Sequence, residues 1–273
     1  MTIDVHSHDF PDTIATRAMA GMCRMTDGHL WSTGDGTLSN HLDHLERAGV
    51  DMAVTCPIAT KPGQFEVILR RARATMDGEL GERARRMIVP FASVHPDDPC
   101  VESHLKAIAA AGIKGVKFHP YYQDFSLVEK RSVMMFRTIA DLGLVVQCHA
   151  GGDICWSEET GRCGPREIET LMKACPGLKF IAAHLGGAYL SPPHEVDRLL
   201  DCGAFIDTSA LHRQWFNDEE MRLLRSWPAD RILFATDFPW VHYPEAIAWV
   251  KSVRAPEDWP ALFGGNACRL LGL

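Results

Sequence analysis

Eight short apolar segments alternate with longer amphipathic segments along the chain, and this alternation limits the folds open to it. The apolar segments, each predicted to be a β-strand, are Ile3–His6, Met52–Cys56, Met87–Val94, Gly115–His119, Leu144–His149, Lys179–His184, Ala204–Thr208 and Ile232–Asp237. Strands that alternate with helices pair in parallel, because the helix supplies the crossover that a parallel neighbour needs. Eight such units in 273 residues predict an α/β fold, a (β/α)8 TIM barrel, with residues 1–273 in a single domain.

The amphipathic segments are predicted to be helices, and several end at a glycine that suits a left-handed C-terminal cap. They are Leu38–Ala48, Phe65–Arg86, Cys100–Ala111, Val128–Leu142, Arg166–Cys175, Pro192–Cys202, Glu245–Val253 and a C-terminal helix at Trp259–Leu271. The segment between the first strand and Leu38 is interpreted as a loop, in which Arg17 or Arg24 could bind a substrate carboxylate in a bidentate manner, with a solvated surface as the favoured interpretation. An open doubly wound sheet is the alternative fold, but the chain has neither a GxGxxG motif after the first strand nor a P-loop.

The composition and charge of the sequence limit the partners and the cellular location that we expect for the chain. Its formal net charge is −7 and it has no basic stripe, so nucleic acid is not an expected partner. No apolar run reaches the ~18–20 residues that span a bilayer, and the N-terminus has no signal-peptide pattern, so no membrane association is expected. Nine scattered cysteines without a CxxC pair predict a reducing, cytoplasmic location. Trp249 and Trp259 suggest an aromatic surface through which the chain forms a homo-oligomer.

Histidine is the residue type whose placement points to chemistry. Of the 13 histidines, several fall at or just after the ends of predicted strands, together with one aspartate: His6, His8, His95, His119, His149, His184 and Asp237. The carboxyl ends of barrel strands surround the active site. Side chains in a strand alternate between two faces, so His6 and His8 can both face the barrel mouth. The pair is interpreted as a two-ligand metal clamp, with a chance pair in a turn as the alternative.

Six short motifs, in chain order, resemble the amidohydrolase superfamily. They are His6-Ser7-His8, Gly115-Val-Lys-Phe-His-Pro120, His149-Ala-Gly-Gly152, His184-Leu-Gly-Gly187, Thr236-Asp-Phe-Pro239 and Gly265-Asn-Ala-Cys-Arg-Leu-Leu-Gly272. The sequence is most similar to the amidohydrolase-related branch, which also contains the aminocarboxymuconate-semialdehyde and resorcylate decarboxylases. The resemblance implies a distorted (β/α)8 barrel that holds a divalent metal at its C-terminal face, usually Zn²⁺, with Mn²⁺ as an alternative.

Position by position, the resemblance implies roles for single residues. The residues that match the metal ligands are His6, His8, His149 and Asp237, and His184 matches the catalytic histidine after the sixth strand. Three imidazoles and a carboxylate suit zinc, and a metal with an open position lowers the pKa of a bound water toward ~7. Asp237 is then expected to accept a proton, and His184 to polarise a carbonyl, orient the water or donate a proton. The alternative for His184 is a histidine that is hydrogen-bonded in the core. The alternative for Asp237 is a helix N-cap.

Lys117 and His119 lie on the fourth predicted strand, and the sequence leaves their roles open. In binuclear members of the superfamily, a lysine on this strand is carboxylated and bridges two metals. The related branch resembles mononuclear enzymes that retain the lysine, so we favour one metal and an uncarboxylated Lys117 that binds an anion or supports the site. His119 is expected to contact substrate or brace a ligand, with a hydrogen bond that closes the turn at Pro120 as the alternative.

Side chains after the strand ends are expected to shape the substrate pocket. The substrate-binding candidates are Lys117, His119, Tyr121, Trp156, His212 and Trp240. Aromatic walls beside cationic groups suit a planar or acidic carbon compound. The expected partner is therefore a small-molecule substrate, with a carboxylate as the favoured class.

The leading functional hypothesis is a metal-dependent hydrolase of a small organic amide, lactone or ester-like substrate that uses a metal-activated water. The alternative is a nonoxidative, metal-dependent decarboxylase of an aromatic or muconate-like carboxylic acid, which uses the same ligands. A TatD-type deoxyribonuclease is disfavoured, because Lys117 and His119 stand where that group has a glutamate and because the net charge opposes DNA binding. A noncatalytic metal-binding scaffold is disfavoured, because neither a ligand nor the histidine after the sixth strand is missing.

Overall fold

Parallel β-strands form the centre of the fold. The computed structural model describes residues 1–26, 31–156, 161–188, 191, 193–210 and 218–273. Within these ranges, strands β1 to β8 are Ile3–Ser7, Met52–Thr55, Ile88–Pro90, Gly115–Phe118, Val145–Cys148, Lys179–Ala182, Phe205–Asp207 and Ile232–Leu233. They form two sheets with the orders β1-β2-β3 and β4-β5-β6-β7-β8, and neighbouring strands run parallel throughout.

Hydrogen bonds join the two sheets at both seams. Between β3 and β4, the Lys117 N–H donates to the carbonyl oxygen of Ala92 at 2.8 Å. Between β8 and β1, the Asp237 N–H donates to the carbonyl oxygen of His6, also at 2.8 Å. Each seam also has an isolated parallel bridge. The strands therefore form a closed ring, and the predicted (β/α)8 barrel is confirmed.

Helices connect and cover the strands. In chain order, α1 to α13 are Asp12–Met25, Leu38–Ala48, Phe65–Met76, Glu82–Met87, Val101–Ala110, Lys130–Asp141, Pro165–Ala174, Ala183–Gly187, Pro193–Val196, Arg198–Asp201, Asp218–Ser226, Tyr243–Val253 and Asn266–Leu271. Short 3-10 turns lie at Ala229–Arg231 and Pro256–Asp258, and a π-helical turn lies at Ala261–Gly265. The predicted C-terminal helix is thus a π-helical turn that runs into α13.

The prediction of one helix over Phe65–Arg86 is wrong. Helix α3 ends at Met76 and α4 begins at Glu82. Between them, Gly78 and Gly81 have φ values of 80° and 98°, which end the helical hydrogen bonding. The connection therefore contains a turn that the helical spacing of apolar residues on both sides does not reveal.

The prediction of a loop between β1 and Leu38 is also wrong, because α1 occupies much of this segment. Ala15 and Met19 are buried on one face of α1, four residues apart as helical geometry requires. Alanine, glycine and methionine give this helix a weak apolar signal, so the sequence pattern hides it.

Strands β6 and β8 end earlier than the sequence predicts, and this positions two side chains of the site. The strands stop at Ala182 and Leu233. His184 and Asp237 lie beyond these ends in left-handed backbone, with φ values of 59° and 63°. This conformation costs a residue other than glycine about 1–3 kcal/mol, so the surrounding contacts must hold it in place.

Side chains on the strands alternate between the interior of the barrel and the side that faces the helices. Val145 and Ile181 belong to the apolar cluster inside the ring, which α13 extends. Val146 and Phe180, their neighbours in sequence, pack in the larger cluster that includes helix residues. This alternation places Lys117 of β4 on the interior side, above the apolar filling.

Two glycine-containing turns cross at the carboxyl ends of β5 and β6. Gly151 and Gly187 have φ values of 83° and 86°, and a Cβ at Gly151 would lie 2.5 Å from the carbonyl oxygen of Gly187. His149 and His184 precede these glycines by two and three residues. The backbone crossing therefore brings the two histidine-bearing turns into contact.

Among the described residues, no helix combines the length and the apolar character that a bilayer crossing requires. Trp249 and Trp259 are half-buried and pack against the core. They therefore expose only part of their rings, and the homo-oligomer stays a prediction.

Gly187→Ala is expected to destabilise the fold more than the matched variant Gly177→Ala. The two glycines have φ values of 86° and 84°, so an alanine at either position costs about 1–2 kcal/mol. Only at Gly187 does the new Cβ overlap the backbone of Gly151, which adds about 1–3 kcal/mol. Urea unfolding followed by circular dichroism measures both losses, and equal losses would contradict the close crossing.

Candidate active site

A cavity of about 710 Å³ opens at the carboxyl ends of the strands, where barrel folds place their active sites. Several residues predicted from the sequence border it. They are His6, His8, Lys117, His119, His149, His184, Asp237 and Trp240. Six of the seven strand-end positions predicted from the sequence therefore border one cavity, and His95 does not belong to its described lining.

His6, His8 and Asp237 form the first candidate metal centre, called here the His–His–Asp group. One carboxylate oxygen of Asp237, Oδ1, lies 3.0 Å from His8 Nε2 and 3.4 Å from His6 Nε2. The three ligand atoms all lie within 4.8 Å of one another. Ser7, between the two histidines, points the other way and donates from Oγ to the carbonyl oxygen of Val54 at 2.8 Å.

The protonation states in this group suit a bound cation. Burial, followed by the nearby charge of Lys117, lowers the pKa of His6 to about 3, so the imidazole is neutral. Burial alone would raise the pKa of Asp237, but His6 and His8 hold it well below its usual value, so the carboxylate is ionised. A neutral imidazole and an ionised carboxylate are the forms that bind divalent metals.

The other ring nitrogen of His6 contacts Asp207, a residue that the sequence analysis missed. His6 Nδ1 lies 3.3 Å from Asp207 Oδ2 and 3.1 Å from Ser209 Oγ. A carboxylate only accepts hydrogen bonds, so Nδ1 carries the proton and Nε2 keeps its lone pair. Lys117 Nζ lies 2.6 Å from that Nε2. The amine therefore lies beside the lone pair, where a positive charge is favourable. The available signal was an aspartate at the end of the apolar segment Ala204–Thr208.

Asp207 connects several strand ends through a buried carboxylate. It accepts hydrogen bonds from Gln147 Nε2 at 2.5 Å, from the His184 N–H at 2.9 Å and from Ser209 Oγ at 2.6 Å. Burial alone would raise the pKa of Asp207, but the hydrogen bond from His6 and its electrostatic interaction with this ring hold the pKa below its usual value. Ser209 Oγ also lies 2.9 Å from His184 Nδ1. Asp207 and Ser209 therefore orient both His6 and His184.

His149 lies in a second group, with His119 and Asp153, rather than in the His–His–Asp group. His119 Nε2 is 3.4 Å from Asp153 Oδ2, and the His119 and His149 rings stack with centroids 4.1 Å apart. His149 Nε2 donates to the carbonyl oxygen of Gly152 at 2.9 Å, so Nδ1 holds the lone pair. That Nδ1 lies 3.0 Å from His184 Nε2. The fourth predicted ligand thus contacts the predicted catalytic histidine.

Burial keeps the imidazoles around His184 neutral at neutral pH. It is the largest cause of the lowered pKa of His119 and of His184, each to about 4, and of His149, to about 3. Neutral imidazoles can act as metal ligands, as hydrogen-bond donors or as acceptors. The chemistry available to this part of the cavity therefore includes both coordination and proton transfer.

The predicted substrate-binding residues differ in their access to the cavity. Lys117, His119 and Trp240 border it. His212 lies outside the described residues. Lys117 is fully buried and directed at His6. Only a substrate that is bound inside the cavity, next to His6, could contact it.

Tyr121 and Trp156 do not belong to the described lining of the cavity. The Tyr121 hydroxyl donates to the carbonyl oxygen of Gly151 at 3.2 Å, and its ring stacks on Trp156 with centroids 6.1 Å apart. Tyr122, the next residue, borders the cavity instead. The two aromatic residues support the cavity wall from behind, which a sequence without side-chain directions cannot reveal.

Two arginines border the cavity near its mouth. Arg17 lies on α1 with an exposed side chain, and Arg71 lies on α3. Arg71 Nη2 is 2.5 Å from Asp9 Oδ1, so its charge is partly balanced. The exposed side chain of Arg17 agrees with the favoured expectation of a solvated surface, and α1 also places this residue at the edge of the cavity.

The chain trace matches solved barrel structures over nearly its whole length. A 5-carboxyvanillate decarboxylase from Sphingomonas paucimobilis aligns with a TM-score of 0.72 and 13% identity, over 100% of this chain and 99% of that one. A probable 2-pyrone-4,6-dicarboxylic acid hydrolase from Acinetobacter baumannii, with citric acid bound, aligns with a TM-score of 0.68 and 14% identity, over 100% and 99%. These identities establish the fold alone.

A third structure contains a metal. It is a 5-carboxyvanillate decarboxylase mutant from Novosphingobium aromaticivorans with bound manganese and 3-methoxy-4-hydroxy-5-nitrobenzoic acid. It aligns with a TM-score of 0.69 and 15% identity, over 100% of this chain and 97% of that one. A search of curated proteins finds no match to the chain.

The closed barrel and its histidine- and aspartate-lined cavity define an α/β-barrel enzyme. The amidohydrolase family model matches residues 59–273, and the chain belongs to this family. The resemblance found in the sequence motifs is therefore confirmed. The matched span begins after β2, so the assignment of His6 and His8 depends on geometry.

Asp207→Asn is expected to weaken metal binding about 10–100-fold, because an amide can no longer hold the His6 tautomer as a charged acceptor does. Titration of metal-free protein with Zn²⁺ measures the affinity. Asp141→Asn, at the exposed end of α6, is the matched control and should leave the affinity unchanged. Wild-type affinity in Asp207→Asn would show that Asp207 does not support a metal ligand.

Proposed function

We propose that the chain is a metal-dependent hydrolase that cleaves an amide, lactone or ester-like bond in a small organic acid. The observation that carries the proposal is that the His–His–Asp group and His184 meet in one cavity. A volume of about 710 Å³ suits a small organic substrate. Membership in the amidohydrolase family agrees with hydrolysis.

The residues proposed to hold the metal are His6, His8 and Asp237, with His149 as the fourth ligand implied by the family resemblance. Two imidazole nitrogens and a carboxylate oxygen suit Zn²⁺, with Mn²⁺ as the alternative. The contact from His6 Nδ1 to Asp207 supports this assignment, because metal-binding histidines usually donate their other N–H to such a partner. A divalent metal bound there would act as a Lewis acid toward a substrate carbonyl and a water molecule.

We propose a single metal and an uncarboxylated Lys117. Lys117 Nζ lies 2.6 Å from His6 Nε2, so the amine itself makes the contact with the His–His–Asp group. A carboxylated lysine would need room for its carboxylate at this fully buried position. Lys117 is instead proposed to stabilise negative charge on the substrate.

Asp237 and His184 are proposed to move and hold protons during the reaction. The ionised Asp237 accepts a proton from the attacking water and delivers it to the leaving group. His184 Nε2 lies 3.0 Å from the lone pair of His149 Nδ1 and is proposed to carry the proton, with the Ser209 hydroxyl turned from Asp207 to donate to His184 Nδ1. A substrate carbonyl oxygen would replace His149 as the acceptor of that N–H and be polarised by it.

The cavity favours a substrate with an acidic group and an apolar body. Arg17 and Arg71 border its mouth, and a guanidinium can bind a carboxylate in a bidentate manner. Apolar side chains of α1 and α3, including Met22 and Ile68, form another part of the lining. A small carboxylate with a hydrocarbon or ring portion matches both features.

Decarboxylation of an aromatic or muconate-like acid is the second candidate reaction. The observation that favours it is the combination of the apolar lining, which would hold a ring, with buried Lys117 beside the His–His–Asp group. Two of the similar structures are decarboxylases of an aromatic acid, as their names state. This reaction would use the same proposed metal ligands, so only the products separate it from hydrolysis.

His6→Ala and Asp237→Ala are each expected to lose the bound metal and turnover together, because each removes one ligand from the His–His–Asp group. Elemental analysis of purified protein and an activity assay measure the two losses. His194→Ala changes an exposed histidine and serves as the control. Normal metal content in both ligand variants would overturn the ligand assignment.

His184→Asn is expected to keep the metal and to lower kcat about 100-fold or more, because a polarised N–H and a proton-transfer group are lost. Metal content and kcat are measured on the same preparation. A rate equal to that of the wild type would exclude His184 from the mechanism.

A substrate screen separates the two reactions. Zinc-loaded and manganese-loaded protein is incubated with lactones, amides and aromatic carboxylic acids, and CO₂ release is followed alongside product formation. Hydrolysis products without CO₂ are the expected result. CO₂ release from an aromatic acid with no hydrolysis would contradict the leading proposal and establish the second.

A further inference from the structure

Asp98, Cys100 and His104 form a cluster, called here the α5 cluster, at the beginning of helix α5. A carboxylate oxygen, a thiol sulfur and an imidazole nitrogen of these residues lie within 4.8 Å of one another. None of the three belongs to the described lining of the catalytic cavity. The cluster is therefore separate from the site described above.

The backbone fixes the relative positions of the three side chains. Asp98 Oδ1 accepts a hydrogen bond from the Cys100 N–H at 2.9 Å, which holds the carboxylate over the first turn of α5. The His104 N–H donates to the carbonyl oxygen of Cys100 at 2.9 Å. Residues four apart on a helix share one face, so the thiol and the imidazole point in the same direction.

His104 is held in a defined orientation and has an unsatisfied nitrogen. Its ring stacks on Phe65 of α3, with centroids 3.8 Å apart and planes 12° apart. Its Nδ1 is buried and has no hydrogen-bond partner among the described residues, although Asp98 Oδ2 lies 3.5 Å away. Buried polar atoms almost always have a partner, and a bound ion is one that can supply it.

We propose that the α5 cluster is a second metal site, which binds a borderline divalent transition metal such as Zn²⁺ through Asp98, Cys100 and His104. Thiolate, imidazole and carboxylate are together typical zinc ligands. The Cys100 side chain is exposed, so a further coordination position remains open to water or to an exogenous ligand. A metal at this place also links the turn after β3 to α5.

The absorption spectrum of bound Co²⁺ distinguishes the α5 cluster from the catalytic site. The ligands proposed for the catalytic metal are nitrogen and oxygen atoms, whereas the α5 cluster includes a sulfur. Metal-free full-length protein, kept reduced, is titrated with Co²⁺, and the thiolate-to-cobalt charge-transfer absorption in the near ultraviolet is recorded. The expected result is a charge-transfer band whose intensity saturates as the α5 cluster fills.

Variants assign that band to its ligands. Cys100→Ser is expected to abolish it, and His104→Gln to weaken cobalt affinity about 10-fold or more. Cys155→Ser is the matched control, because Cys155 is a thiol that borders the catalytic cavity, and it should keep the band. Asp237→Ala should also keep it, so failure of the catalytic ligand assignment would leave this result unchanged.

Two outcomes would overturn the proposal. One is the absence of a charge-transfer band from wild-type protein at saturating Co²⁺. The other is a band that persists in Cys100→Ser or disappears in Cys155→Ser. Cys100 is exposed, so its replacement is expected to leave the far-ultraviolet circular dichroism spectrum unchanged, and this measurement accompanies each titration.

Discussion

The hydrogen bonds of one buried carboxylate, Asp207, set the geometry of the site. An ionised carboxylate in a protein interior loses its hydration and is tolerated only where donors surround it. The donors that contact it lie on or just after four different strands: His6, Gln147, His184 and Ser209. Satisfying this one carboxylate therefore fixes the strand ends relative to one another and selects the His6 tautomer that keeps a lone pair on Nε2, the atom that Lys117 Nζ contacts.

Backbone strain is concentrated where the site needs rigid side chains. His184 and Asp237 both adopt left-handed φ values, an arrangement that other contacts must stabilise. The His184 N–H donates to Asp207, and the Asp237 N–H donates to the carbonyl oxygen of His6. Each such hydrogen bond contributes about 1 kcal/mol net. The close crossing of Gly151 and Gly187 and the packing of the barrel supply the remaining stabilisation that the left-handed backbone needs.

The eight strands were predictable because short apolar runs between amphipathic segments have few other uses. The helix end at Gly49 was predictable because a left-handed cap follows the last buried turn. The break inside Phe65–Arg86 was not predictable, because apolar residues continue at helical spacing on both sides of it. Asp207 was missed because one aspartate after an apolar run has many ordinary roles. The contact of His149 with Gly152 depends on a ring orientation that sequence does not encode.

The proposed mechanism depends on a metal held by the His–His–Asp group. Anomalous X-ray diffraction at the zinc edge, on crystals of the protein grown with Zn²⁺, locates the ion directly. We predict a peak about 2.1 Å from His6 Nε2, from His8 Nε2 and from an oxygen of Asp237. A peak between His119 and Asp153 with none at the His–His–Asp group would contradict it.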